Sequence, residues 1–163
     1  MILSVCTLKV PCHSVFAPFS NLDFLLVTAS KDKTCRLLSP LGDLIYELDG
    51  HNDYVRAVKY DASSQQLITA SDDNKIKFWF IANGRCIKTV NDSSEVRRLT
   101  HVHLDGSFFV SGNRQGCLKL WYTTNNELME CSLEGHTNWV QSVAVSSSGS
   151  LIFSGKWCLL HYF

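Results

Sequence analysis

"GHNDYVRAVKY", residues 50–60, returns later in the chain as "GHTNWVQSVAV", residues 135–145. Both phrases run Gly-His, three residues, Val, two residues, Val, with Trp139 where Tyr54 stands. Fainter versions read "EVRRL" (95–99) and "SVFAP" (14–18). A second string recurs in step with the first. "LITASDDNKIKFW" (67–79) answers to "FVSGNRQGCLKLW" (109–121) and, one period earlier, to "LVTASKDKTCRLL" (26–38). Trp79 and Trp121 are 42 residues apart, and Leu38 precedes Trp79 by 41. Self-similarity at a fixed period of this length marks a repeat architecture. Inside each period lie short apolar-alternating runs, such as "VRAVKY", "QLITAS", "KIKFWF" and "CIKTV", separated by Ser, Asn, Asp and Gly. Four short β-runs per period predict an all-β chain of propeller blades.

Composition agrees with a folded chain and narrows the partners. Of 163 residues, 45% are hydrophobic and 18% charged, which is globular and not disordered. Fifteen Lys and Arg balance fifteen Asp and Glu. A general nucleic-acid binder would carry a basic excess, so nucleic acid is not expected as a partner. The opening "MILSVCTLKV" is apolar but far too short to span a bilayer, and no membrane partner is expected. Seven cysteines, none in a C-x-x-C pair, fall mostly in strand-like stretches. They are expected to be reduced core residues of a cytoplasmic or nuclear protein.

The repeat resembles the WD40 family over nearly the whole chain. Gly50-His51 and Gly135-His136 match the family's Gly-His, Asp32 and Asp73 its turn aspartate, and Trp79 and Trp121 its tryptophan. Phe80 and Tyr122 follow the tryptophans where the family's aspartate often stands. The resemblance implies a WD40-type β-propeller with about four blades present, either a partial ring or half of a larger one. One repeat domain over 1–163 is expected, with blades near 8–48, 49–90, 91–133 and 134–163. Residues 3–8 are a candidate outer strand closing the last blade. Such rings usually need seven or eight blades, so three readings stand together: part of a longer protein, pairing of two copies, or a small ring or open arc.

The same resemblance implies a buried polar chain of His51, a strand hydroxyl (Thr69 or Ser71), Asp73 and Trp79. Buried polar groups need partners, and an imidazole joined to a carboxylate, a hydroxyl and an indole N–H satisfies all four. His51 and Asp73 are therefore expected to be structural and not a catalytic pair. The adjacent Asp72 and Asp73 are expected to hydrogen-bond backbone N–H groups in a turn. The first and third blades are expected to lose the polar chain. Val10-Pro11 and Leu38 replace Gly-His and Trp in one, and Asp92 and Gln115 replace His and Asp in the other. In the fourth, Cys158 stands at the aspartate position.

No enzyme motif is present: there is no phosphate-cradling loop, no G-x-S-x-G and no metal-spaced Cys/His set. His101 and His103 share a strand face by their spacing, which alone does not make a metal site. No catalytic residue, metal or cofactor is expected. The expected function is a non-catalytic scaffold that presents a propeller rim to a protein or peptide partner. Residues flanking the first Val of each phrase (Ser14 and Phe16, Tyr54 and Arg56, Glu95 and Arg97, Trp139 and Gln141) fall on that rim by register. So do the residues just before the turn aspartate: Lys31, Asp72, Arg114 and Trp157. Tyr, Trp and Arg dominate interface energetics. The candidate partner-binding residues are therefore Tyr54, Arg56, Asp72, Glu95, Arg97, Arg114, Trp139 and Gln141. A narrower alternative is a ubiquitin-binding adaptor. "VRRLTHVHLDGSFFVSGNRQGCLKLW" (96–121) is similar to blades of phospholipase-activating-protein type ubiquitin adaptors.

Overall fold

A computed structural model describes residues 13–18, 24–61, 64–91, 96–102, 108–122, 128–146 and 148–156. Among them are fourteen strands in chain order. The first sheet holds β1 (His13–Pro18), β2 (Phe24–Ala29), β3 (Cys35–Leu38) and β4 (Leu44–Leu48). The second holds β5 (Val55–Asp61), β6 (Gln66–Ser71), β7 (Lys75–Phe80) and β8 (Arg85–Asn91). The third holds β9 (Val96–Val102), β10 (Phe108–Asn113), β11 (Cys117–Tyr122) and β12 (Leu128–Glu134), and the fourth β13 (Val140–Val145) and β14 (Ile152–Lys156). Every pairing is antiparallel between sequence neighbours, the topology that short turns permit. The architecture is all-β and consistent with a partial β-propeller. Among the described residues no helix is long and apolar enough to cross a membrane.

The sheets stack face to face, with the first strand of each (β1, β5, β9, β13) lying beside the first strand of the next. The core is therefore three slabs between sheets. Val27, Ala29, Cys35, Leu37 and Leu48 meet Val55, Val58, Leu67 and Trp79. Ala57, Ile68, Ala70, Ile76 and Phe78 meet Phe109 and Trp121. Val110 and Leu118 meet Val140, Val143 and Val145. This explains a gradient within a sheet. β6 is covered on both faces, so "LITAS" is buried at every position, whereas β8 at the periphery is exposed along nearly its whole length. A strand covered on both faces reads as a continuous run of small and apolar residues, without alternation.

Two expectations change here. The first concerns "SVFAP". Phe16 pairs with Leu26, and Tyr60 pairs with Leu67, the residue matching Leu26. Val15 therefore matches Lys59 and not Val55. Ser14 and Phe16 stand four residues further along their strand than the aligned phrases suggest. An even slip preserves a period-two apolar pattern, so the faint phrase could be placed four residues off without losing its alternation. The second concerns cysteines: Cys35 is buried, and burial pushes its thiol far up, but Cys86 is exposed on β8. The expected roles of Val10-Pro11, Asp92, Trp157, Cys158 and strand 3–8 lie outside the described residues.

Candidate functional site

The turns after β2, β6 and β10 share one backbone device. Lys33, Asn74 and Gly116 occupy the same place in each and all have positive φ, at 77°, 63° and 86°. A side chain two residues back holds each turn. Ser30 Oγ accepts the Asp32 N–H at 3.2 Å and Ser71 Oγ the Asp73 N–H at 3.1 Å. Asp32 and Asp73 in turn accept the N–H groups of Thr34 and Lys75, both at 3.0 Å. Short polar side chains close such turns by accepting the N–H two residues on. In the third sheet one residue does both jobs. Asn113 Oδ1 accepts the N–H of Gln115 and of Cys117, each at 2.9 Å.

Beneath the second turn lies the polar chain. Trp79 Nε1–H donates to Thr69 Oγ1 at 2.9 Å, and His51 joins Thr69 Oγ1 through Nε2 at 2.8 Å and Asp73 Oδ2 through Nδ1 at 3.0 Å. The Asn52 N–H also donates to Asp73 Oδ2, at 2.9 Å. Burial pushes the His51 imidazole below its ordinary value, outweighing the bond to Asp73 that favours the cation. The neutral ring then donates from Nδ1 to Asp73 and accepts the Thr69 hydroxyl at Nε2. Burial would raise the Asp73 carboxyl, but the N–H groups of Asn52 and Lys75 and the His51 bond together hold it below its ordinary value. Thr69 is the hydroxyl in this chain. Ser71 instead donates to the Asp53 carbonyl at 2.9 Å and steadies the loop before β5.

The third sheet does not lose the chain outright, contrary to expectation. Trp121 Nε1–H still donates to Ser111 Oγ at 2.8 Å, and Asn113 replaces the turn carboxylate. The fourth keeps another part, with His136 Nε2 and Ser154 Oγ 2.6 Å apart. The first keeps the turn, with the buried Leu38 at the tryptophan position. An indole–hydroxyl bond and a capped turn form independently, so a blade can retain either one alone.

The loop before β5 joins two sheets: the Val55 N–H donates to the Ser30 carbonyl of the first, and the Asp72 N–H to the Tyr54 carbonyl, both at 3.0 Å. Tyr54 projects from this seam 39% exposed, and Trp139, at the equivalent place before β13, is 40% exposed. Each carries a cation from the turn of the preceding sheet. Lys31 Nζ lies 5.9 Å from the Tyr54 ring centre, and the Arg114 guanidinium carbon 5.1 Å from that of Trp139. The Arg56 guanidinium carbon also sits 5.1 Å from the Tyr54 ring centre, and Arg56 bonds Asp72 Oδ2 through Nε at 2.8 Å. Asp72 thus takes a guanidinium and not the backbone N–H groups expected of it. Lys31 falls in register with Arg114 and joins the candidate residues through its place over the Tyr54 ring. Its match to Arg114 was the available signal.

A β-bulge recurs at the start of β5, β9 and β13. The ladder jumps from Val55 to Ala57, from Val96 to Arg98 and from Val140 to Ser142. Arg56, Arg97 and Gln141 are the extra residues, so the candidates that follow the first Val occupy one repeated bulge position. Bulges re-aim a side chain out of the ladder. Glu95 lies outside the described residues. His101 on β9 pairs with Val110 on β10, and His103 lies outside the described residues. Among the described residues no three His, Cys, Asp or Glu side chains converge as metal ligands would.

The family described as "WD domain, G-beta repeat" matches residues 42–79, 84–122 and 128–158. Each match runs from the outer strand of one sheet into the next. The chain is 30% identical over 131 residues to pre-mRNA-processing factor 19 homolog 2 of Arabidopsis thaliana, covering 77% of this chain and 25% of that protein. It is 28% identical over 134 residues to nuclear distribution protein nudF of Aspergillus niger, covering 76% and 30%. It is 32% identical over 114 residues to autophagy-related protein 16 of Arabidopsis thaliana, covering 69% and 22%. The chain spans about a quarter of the length of these relatives. Three family repeats, four stacked antiparallel sheets and a buried His–Thr–Trp–Asp chain have one reading: this chain belongs to the WD40 repeat family.

Proposed function

We propose that the chain is a protein-interaction scaffold whose turn-lined rim docks a protein or peptide partner. One observation carries this reading. Tyr54 and Trp139, each about two-fifths exposed, stand at equivalent seams, and each is capped by a cation from the turn before it. Half-exposed aromatics beside guanidinium groups are what interface centres use, because they bury much area with little loss of rotamer freedom. Repeated seams on a stiff stack of sheets hold such groups at fixed spacing. The relatives' names refer to pre-mRNA processing, nuclear distribution and autophagy, so the likeness supports a shared platform and not a shared partner. The ubiquitin reading has no rim observation of its own and stays with the resemblance that raised it.

The test is affinity capture with the full chain against a Tyr54→Ala/Trp139→Ala variant, with urea melts alongside. Capture should fall while the melting midpoint holds. Equal loss of both would assign the two rings to packing between sheets.

A further inference from the structure

Val55 pairs with Ser71 at the start of β5, so the bulge residue Arg56 and the turn residue Asp72 follow the two halves of one rung. They meet as an ion pair, with Arg56 donating to Asp72 Oδ2 from both Nε and Nη2. The equivalent rung of the third sheet is Val96 with Asn113, and the residues that follow are Arg97 and Arg114. Two arginines therefore hold the pair of positions at which the second sheet places an arginine and an aspartate. The turns add a second, independent observation. Their carboxylates are engaged within the fold: Asp32 accepts the Thr34 N–H and hydroxyl and pairs with Arg36 at 3.1 Å, Asp72 takes Arg56, and Asp73 takes His51 and the N–H groups of Asn52 and Lys75. Lys31 and Lys33 on the first turn are exposed, and among the described residues neither forms an ion pair. An approaching chain thus meets cations and half-exposed rings, although the formal net charge of the whole chain is zero.

We propose that the rim docks an acidic stretch of a partner protein, one of whose carboxylates is received at the Arg97 and Arg114 positions as the Asp72 carboxylate is received by Arg56. This rests on the rim reading above and adds the chemistry of the partner. The second sheet supplies the template, because a carboxylate already occupies the equivalent place there. Arg114 lies 5.1 Å from the Trp139 ring centre, and a guanidinium beside a ring still offers its N–H edge to a carboxylate. Charge opposite in sign to the rim also speeds encounter and makes binding fall as salt rises.

A short fluorescent peptide rich in Glu and Leu, titrated with the full chain and read by anisotropy, tests the proposal. It should bind, weaken as salt rises, and bind better than its counterpart with Gln at every Glu. Arg114→Asp rebuilds in the third sheet the arginine–aspartate pair of the second. It should fold, as a circular-dichroism melt would show, and weaken the Glu peptide by roughly 30-fold or more. If it does not fold, Arg97→Gln gives the same reading with a smaller loss. Lys88→Glu on the exposed β8 is an equal change of charge away from the rim and should alter nothing. Glu95→Gln removes a carboxylate two residues before Arg97 and should bind at least as well as wild type. Failure of the Glu peptide to bind overturns the proposal. So does a loss from Lys88→Glu as large as that from Arg114→Asp, or weaker binding by Glu95→Gln. Preference for a phosphoserine peptide or a single-stranded oligonucleotide over the Glu peptide overturns it as well. The capture experiment on Tyr54 and Trp139 changes none of these charges, so the rim reading can stand while its acidic partner falls.

Discussion

The second and third sheets solve the same problem with different residues. Both must pin a buried tryptophan to the middle strand and close the turn beyond it. The second sheet uses Thr69 for the indole, Asp73 for the turn and His51 to tie the two together with the preceding loop. The third uses Ser111 for the indole and Asn113 for the turn, without a histidine–carboxylate pair between them. Packing compensates there: Trp121 stacks on Phe109 at 5.9 Å with the rings 4° from parallel, and Phe109 meets Phe78 edge-on at 5.7 Å. The anchor and the turn cap are thus the parts both sheets keep, and the imidazole is the linker that one sheet adds.

That comparison can be broken in four ways. The largest effect is expected from Trp79→Ala. It empties a site only 2% exposed and strips Thr69 of its donor, costing about 3–5 kcal/mol in urea melts. A loss near zero would remove Trp79 from the core. Gly116→Ala comes next. Its Cβ would fall 2.0 Å from the His136 carbonyl oxygen, at a φ of +86°. The turn and the loop before β13 must then part, at about 1–3 kcal/mol for the backbone strain alone. Asn74→Ala meets only the left-handed strain and should lose less.

Thr69→Val and Ser111→Ala separate the two polar devices directly. The first strands both the Trp79 indole and His51 Nε2, the second only the Trp121 indole. Each buried group left unsatisfied costs about 1–3 kcal/mol, so the first loss should be about twice the second. Equal losses would mean that His51 contributes nothing through Thr69.

The smallest effect is one of pH, and it belongs to the second sheet. The groups around His51 are Asp73, Lys75 and Lys77. Its folded pKa lies below the unfolded value of 6.5, so on acidification the unfolded chain takes up a proton that the folded chain refuses. Its contribution is full above pH 6.5 and is lost as pH falls below that value toward the folded pKa. Asp73, held below 3.8, adds loss of the same sign at lower pH. The stability difference between wild type and His51→Gln, read from urea midpoints, should shrink from pH 7 to pH 5. A difference independent of pH would contradict the neutral imidazole.

Much of this was legible in the chain because its signals are local. Asp32 and Asp73 close turns that span five residues, and the Gly-His phrase sits a fixed distance from Val55 and Val140. Thr69 and Ser71 could not be separated by sequence, since both lie on the same face of β6 two residues apart. Only the distances to His51 and Trp79 choose between them. Asn113 carries no local signal of its role, because it sits at the serine position while partly replacing an aspartate two residues later. The first phrase has no unique register in the sequence, because "SVFAP" alternates equally well four residues away. The seam pairs Lys31–Tyr54 and Arg114–Trp139 join residues from different sheets, and only the stacking of sheets brings them together.

The family's repeats run 42–79, 84–122 and 128–158, and the sheets run β1–β4, β5–β8 and β9–β12. The unit that is copied in the gene and the unit that packs in the molecule are out of phase by one strand. A cut made at a repeat boundary therefore detaches β4, β8 or β12 from its own sheet and leaves β3, β7 or β11 as a raw edge. A cut between sheets, after Leu48 or Asn91, leaves every ladder whole but exposes an apolar slab. Each covalent repeat thus clasps two neighbouring sheets, so adding or losing a whole repeat shifts every later strand by a full blade and leaves the pairing pattern unchanged.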